Sequence, residues 1–304
     1  MSIGKHVARF LNYCVVERQL SENTLQAYGY DLADFRKWLP ARCSLVAIKT
    51  ETLRDYLEDM MGARGLSPGT IRRRLACLRS FFRYLDDEGH HADPFVGWRL
   101  KLPRRKRLPR ALSREETSAL LASARRPRRA SKAPSLSHIL GTEIRLMIST
   151  GIRVGELCRI QIGDVSIDGS TLRIHGKGSR DRIVYVVNSE LQADLQKLVS
   201  LRRRLAGTLG PLFINRNGEK LRPHSFRSKL RSFAGQVGIQ RRVTPHMLRH
   251  TAATLLIESG VDIRIVQRLL GHSSIATTEI YTHVSDQALR TTLERANIIS
   301  GFAA

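Results

Sequence analysis

HMLRHTAATLLIESGVDIRIVQRLLGHSSIATTEIYTHV, residues 246–284, carries more structural instruction than any other stretch of this chain. Its apolar residues recur at helical spacing, broken once at Gly260 and again at Gly271. A glycine directly after an apolar helical run is the usual C′ residue, so Gly271 closes a helix. His272 then falls in a loop, Thr277 or Thr278 can cap the next helix, and Tyr281 sits in its first turn. At the front of the stretch His246 and Arg249 are three apart and share one helix face. His246 and His250 are spaced like zinc ligands, but Met247 stands where a zinc protease has its glutamate and no third ligand is evident, so no metal is expected. A tyrosine this close to the end of a domain is ordinarily structural. Whether Tyr281 does chemistry depends on what the rest of the chain brings to it.

The charge points to a polyanion. The 304 residues carry 51 Lys and Arg against 27 Asp and Glu, a net of +24, and basic residues are in excess on both sides of Leu112. Such a surface suits nucleic acid, whose phosphates release counterions to Lys and Arg. No stretch approaches the roughly 20 apolar residues of a spanning helix, so no membrane partner is expected. Cys14, Cys43, Cys77 and Cys158 are scattered without C-x-x-C spacing. They suit small buried residues in a reducing cytoplasm rather than a disulfide framework.

Residues 1–100 read as helices. After Ser21, a plausible N-cap, Leu25, Tyr28, Leu32, Phe35 and Leu39 recur three and four apart. After Ser67-Pro68, Ile71, Leu75, Leu78, Phe82 and Leu85 repeat the pattern. Arg72, Arg79 and Arg83 fall beside that second stripe and are candidates to face DNA. Residues 101–112 form a linker: Pro103 and Pro109 exclude a continuous helix, and Lys101, Arg104, Arg105, Lys106 and Arg107 could lie along phosphates. From Ser113 a capped helix opens a second domain, 113–304. Short β-rich runs around Asp168-Gly169 and Gly176-Lys177-Gly178-Ser179 predict a small antiparallel sheet with tight turns.

Phosphodiester cleavage without metal needs an in-line nucleophile, an acid for the leaving oxygen and preorganised cations facing the non-bridging oxygens. The second domain supplies candidates for each. Arg153, in STGIRVGEL, is expected in the first turn of a new helix, with Glu156 three residues on to orient it. Lys177, between glycines, suits a hairpin tip that reaches into a groove. His246 and Arg249 fit an oxyanion clamp. A phenol has an unperturbed pKa of ~10, so Tyr281 needs cationic neighbours or a base, which these residues and His272 would provide.

In this order and at these spacings, Arg153, Lys177, H-x-x-R at His246–Arg249, L-G-H ending at His272, and Tyr281 resemble the tyrosine recombinases, the phage integrases and Xer-type enzymes. The start at Ser21 to Phe35 is similar to that family's N-terminal domain, so the resemblance covers nearly the whole chain. It implies an all-α, SAM-like core-binding bundle followed by a mainly α catalytic domain with a small antiparallel β-sheet, the DNA breaking-rejoining enzyme fold. It implies that Tyr281 attacks a phosphodiester and forms a 3′-phosphotyrosyl link. Arg153 and Arg249 would clamp the phosphate, Lys177 would protonate the leaving 5′ oxygen, His246 would move the tyrosine's proton, and His272 would hydrogen-bond the phosphate. No cofactor is implied. The implied partners are double-stranded DNA with an inverted-repeat core site and accessory DNA-bending proteins, with the enzyme acting as a homotetramer on two sites, in the cytoplasm at the nucleoid. After Ser285, Leu289, Leu293 and Ala296 form an apolar face; by the same resemblance this tail docks on the next protomer, with Ile298, Ile299 and Phe302 as further anchors.

The competing expectation is a non-enzymatic regulator. The segment around Gly260, with Val261, Ile265 and Leu269 inward, can be read as a DNA-binding helix-turn-helix. That leaves Tyr281 structural and gives Arg153 and Lys177 no role.

Overall fold

A computed structural model of the chain describes residues 2–98, 111–125, 136–176, 181–207, 209–271 and 286–302, with the side chains of 136–138 and 286–288 left aside. The chain divides into two compact units, Met1–Lys106 and Arg107–Ala304. The expected two-domain architecture is therefore observed, with an all-helical first unit and a mainly helical second unit that contains the small sheet.

The first unit contains α1 (Ile3–Val16), α2 (Glu22–Trp38), α3 (Thr50–Met61) and α4 (Pro68–Asp87). Both predicted stripes face its core: Leu32 and Phe35 on α2, Leu39 at its C-cap, and Ile71, Leu75, Leu78, Phe82 and Leu85 on α4, are buried. Ser67 caps α4 as its spacing suggests, its hydroxyl accepting from the Thr70 amide at 3.2 Å. Ser21 occupies the N-cap of α2, but its hydroxyl pairs with that of Thr24 at 2.9 Å instead of with the backbone. Beside the apolar core lies a half-buried charge network. Asp34 accepts from Tyr56 at 2.7 Å and from both ends of the Arg64 fork at 2.8 and 2.9 Å, and also pairs with Arg74. Burial alone would raise the Asp34 carboxyl; these donors outweigh it and hold it at about 2.

The second unit is built around α6 (Leu136–Thr150), which contacts α5 (Arg114–Arg125), α8 (Ser189–Ala206), α9 (Pro223–Gln236) and α10 (Pro245–Glu258). Ile144, Leu146, Met147 and Ile148 are fully buried, so α6 is enclosed on all sides as a central helix must be. Ser113 caps α5 through a reciprocal pair with Glu116. The sheet is a two-stranded antiparallel ladder, β1 (Thr171–Ile174) and β2 (Arg182–Tyr185), registered from Thr171↔Tyr185 to Ile174↔Arg182. Leu172, Ile174 and Val184 turn one face of it to the core. Among the described residues the remaining α-helices of this unit are α7 (Val154–Leu157), α11 (Ile263–Leu270) and α12 (Asp286–Ala296).

The tail packs on its own domain. Leu289, Leu293, Ile298 and Ile299 are buried in the core of the second unit, and Ala296 and Phe302 pack against it. Arg125 donates to the Ile299 carbonyl at 2.9 Å, and the Asn188 amide donates to the Ser300 hydroxyl at 3.0 Å. The apolar face expected to seek a neighbouring protomer is thus covered in cis in the single chain.

Candidate active site

Two chain breaks position the cations. α6 stops at Thr150 because Gly151 takes a left-handed φ of +64°. The chain passes through buried Ile152, and Arg153 follows with φ −75° and ψ 149°. Arg153 is therefore the N-cap of α7, one residue before the helical first turn expected for it. The second break is at Gly271, which ends α11 in the αL conformation with φ +62°, as its position after the apolar run predicts.

Arg249, in the second turn of α10, is buried and reaches both breaks. It donates to the Gly151 carbonyl at 2.7 Å and to the Leu270 carbonyl at 2.6 Å. Arg153 reaches the second break from the other side, donating to the Gly271 carbonyl at 2.8 Å. The two arginines predicted to clamp a phosphate are thus brought together, each hooked to main-chain oxygens. Burial lowers the Arg249 guanidinium to about 10, and the neighbouring charge of Arg153 adds to that effect. It remains a cation at neutral pH, poorly solvated and incompletely neutralised, so an entering anion would be attracted strongly.

Among the described residues Glu156 is the carboxylate that holds Arg153 and Arg182. It accepts from the Arg153 amide at 2.7 Å and from the Arg153 guanidinium at 3.0 Å, the orienting role its spacing predicts. It also accepts both ends of the Arg182 fork, at 3.0 and 2.9 Å. Burial pushes its carboxyl up, but the hydrogen bonds from Arg182 and Arg153 more than offset this and leave it below its ordinary value. Arg182 was not among the sequence candidates. The signal is readable only once the ladder register is known: Arg182 shares a face with buried Val184, and an arginine on the inward face of a strand requires a buried partner.

His246 lies in the first turn of α10 and is exposed, and His250 is exposed one turn on. Burial, with His246 and Arg249 nearby, lowers the His250 imidazole. At the end of the sheet His175 bridges two carboxylates, Asp164 at 3.0 Å and Asp181 at 2.9 Å. These bonds, Asp164's first, raise its pKa. Lys177, His272 and Tyr281 lie outside the described residues, as does the basic stretch with Lys101, Arg104, Arg105, Lys106 and Arg107. In the first unit Arg72, Arg79 and Arg83 are exposed on α4. Arg79 lies 5.2 Å over the Phe95 ring, and Arg79 and Arg83 border a groove of about 390 Å³ with Tyr13, Arg18, Tyr28 and Tyr84. Among the described residues no group of three or more His, Cys, Asp or Glu could hold a metal ion, and no helix is long and apolar enough to cross a membrane.

The corner between α10 and α11 has the helix-turn-helix outline anticipated for a regulator. Gly260 turns it with φ +81°, and Val261 and Leu269 are buried. Its ends, however, are the positions that carry and receive Arg249.

Comparison with known proteins separates the two expectations. The phage integrase family matches residues 110–288, and the phage integrase N-terminal SAM-like domain matches residues 7–89. The tyrosine recombinase XerD of Halalkalibacterium halodurans is 34% identical over 95% of this chain and 96% of its own. The XerD of Caulobacter vibrioides is 37% identical over 92% of each. Among solved structures, the XerH site-specific recombinase bound to its difH substrate before cleavage is similar at TM-score 0.65 and 25% identity, covering 94% of this chain and 82% of that one. A lambda integrase dimer bound to a COC′ core site shares the fold at TM-score 0.68 and 20% identity, covering 90% and 96%. The regulator reading is not supported by these relatives.

Proposed function

The chain belongs to the phage integrase family and is a tyrosine site-specific DNA recombinase; from that premise we propose that Tyr281 is its nucleophile and that Arg153 and Arg249 hold the scissile phosphate. The observation that carries this is the convergence of the two guanidiniums on the Gly151, Leu270 and Gly271 carbonyls, the last two directly before His272 in the chain.

Tyr281 gives up its phenolic proton and its oxygen attacks phosphorus in line. The P–O5′ bond breaks as the 3′-phosphotyrosyl ester forms, and Lys177 gives a proton to the departing 5′ oxygen. Arg153 and Arg249 face the non-bridging oxygens, where charge grows in the transition state. Their positions are set by backbone acceptors before DNA arrives, so little reorganisation is left for the reaction itself. His246 takes and returns the tyrosine's proton, and His272 donates a hydrogen bond to the phosphate. Attack by a 5′ hydroxyl on the phosphotyrosine reverses each step. The ester conserves the bond energy, and neither cofactor nor metal enters.

The substrate is duplex DNA with an inverted-repeat core site, exchanged in integration, excision or resolution of a mobile element or replicon dimer at the nucleoid. Residues 1–100 serve as the core-binding domain with α4 toward the DNA, residues 101–112 lie along phosphates, and 113–304 catalyse. A homotetramer assembles on two sites by tail exchange, helped by accessory DNA-bending proteins. The cradle that α12 fills in cis would take the same segment from a neighbour, since the contacts are identical.

The test is covalent capture. The protein is incubated with sheared DNA of its source organism, denatured, and the attached fragments are sequenced. Tyr281→Phe should yield none, while Tyr185→Phe should yield the same junctions as the parent chain. Capture that survives in Tyr281→Phe and disappears in Tyr185→Phe assigns the nucleophile to the wrong residue.

A further inference from the structure

We infer that Arg182 is a positioning residue for Arg153, holding the Glu156 carboxylate in the orientation that aims the Arg153 guanidinium. This rests on the reading of Arg153 as a phosphate clamp. Glu156 lies on α7, a single turn of four residues, and Arg153 is the N-cap of that turn. A helix so short has no stability of its own, so α7 alone places neither side chain. Arg182 comes from a different element, as the first residue of β2, 26 residues along the chain from Glu156. That strand is anchored: Val184, two residues on, and Leu172 and Ile174 on the paired β1 are buried in the core. The Arg182 fork meets both oxygens of Glu156, at 3.0 and 2.9 Å. A bidentate guanidinium–carboxylate pair fixes direction as well as distance.

The same two oxygens then place Arg153. Glu156 Oε1 accepts from the Arg153 guanidinium at 3.0 Å, and Oε2 accepts from the Arg153 amide at 2.7 Å. The other partner of the Arg153 guanidinium is the Gly271 carbonyl, at 2.8 Å. Arg182 lies alongside that residue as well: a Cβ added to Gly271 would sit 3.4, 3.5 and 3.6 Å from Nη1, Cζ and Nε of Arg182. Among the described residues, both partners of the Arg153 guanidinium are thus flanked by Arg182. The two arginines are not equivalent. The Arg153 side chain is 41% exposed and that of Arg182 is 18% exposed, so Arg153 is the one open to an entering phosphate. Paired with Arg153 alone, the buried carboxylate would cancel its charge. Shared between two arginines, it leaves the group a net positive charge to offer.

The experiment uses the full chain and a nicked half-site carrying a captured junction sequence. The short fragment beyond the nick diffuses away after cleavage, so adduct accumulates and slow rates can be measured. At saturating protein, Arg182→Met should form adduct more slowly by on the order of 10²-fold, the usual cost of a misplaced catalytic group. Arg182→Lys, which keeps the charge and loses the fork, should show a smaller defect. Both should bind the half-site as the parent does. The deciding measurement combines these changes with Arg153→Ala. Once Arg153 is gone, Arg182 has nothing left to aim, so adding Arg182→Met should slow Arg153→Ala by no more than a few-fold. Adding Arg182→Lys gives the same comparison if melting shows that Arg182→Met does not fold. Defects that multiply in the double variants would show that Arg182 acts independently of Arg153. Parental cleavage by Arg182→Met would show that it is not needed. Either result overturns the inference. If Arg153→Ala itself cleaves at the parental rate, the clamp reading fails and the inference fails with it.

Discussion

Arg249 and Gly151 meet across the centre of the second unit: the guanidinium donates to the Gly151 carbonyl at 2.7 Å. An alanine at position 151 would strain the backbone that presents that carbonyl. The glycine's φ is +64°, and a Cβ there would lie 2.3 Å from Leu270 Cδ2, on the residue whose carbonyl is Arg249's other acceptor. Gly151→Ala should therefore cost about 1–3 kcal/mol, from left-handed strain and overpacking together. It should also slow adduct formation more than a matched loss of stability elsewhere. Thermal melting and covalent capture on the same samples check both.

Arg249→Lys tests whether charge alone suffices. An ammonium is a point donor and cannot span the Gly151 and Leu270 carbonyls as the planar fork does. One carbonyl is left unmatched and the cation shifts. Adduct formation should fall by on the order of 10²-fold, comparable to losing an oxyanion donor, while DNA affinity changes little. Near-parental cleavage by the lysine variant would show that the fork is dispensable.

Glu143 gives a stability prediction away from the chemistry. It is fully buried on α6, and among the described residues neither carboxyl oxygen has a hydrogen-bond partner. Burial raises its pKa to about 8. The folded chain thus keeps a proton that the unfolded chain releases near an ordinary carboxyl pKa of about 4.3. Between those values the folded state binds more protons, so this group's contribution to stability falls as pH rises and levels off above about 8. Glu143→Met keeps the length and removes the titration. Its melting temperature should exceed the parent's by more at pH 8.5 than at pH 5. A difference between the two proteins that does not change with pH would rule out the buried carboxyl as the cause.

The tail allows a complementation test. Ending the chain after Val284 removes the buried side chains Leu289, Leu293, Ile298 and Ile299 and uncovers their cradle. Burial of side chains of this size is worth about 1.5–3 kcal/mol each, so the truncated chain should melt earlier and recombine poorly. Mixed with full-length Tyr281→Phe, which has a tail but no nucleophile, it should regain cleavage if a neighbour's tail can fill the empty cradle. A mixture no more active than its parts would exclude tail exchange.

The framework around the arginines was legible where its parts obey local rules. Gly271 as the end of α11, and Ser67 and Ser113 as caps, follow from spacing alone. The placement of Arg153 is off by one residue because α7 is a single turn, too short for a periodic signal to fix its start. Arg182 was missed for a different reason. In RIVYVV every position but the first is apolar or aromatic, so alternation does not say which face is inward until the ladder register is known. What covers the tail in the single chain was not legible, because an amphipathic helix announces that it must be covered and not by what.

The acceptors that hold Arg249 are main-chain oxygens, and this affects how the site can drift. A side-chain partner ties two positions together, so that a change in one calls for a change in the other. A carbonyl is supplied by whatever residue occupies the position. Leu270 can be exchanged for another residue of similar volume with its acceptor unaltered, whereas Gly151 and Gly271 are constrained by backbone angle. The search for residues that covary with Arg249 should therefore come back empty, although two hydrogen bonds hold it. Arg153 should behave differently, since substitutions at Glu156 would be felt at both Arg153 and Arg182.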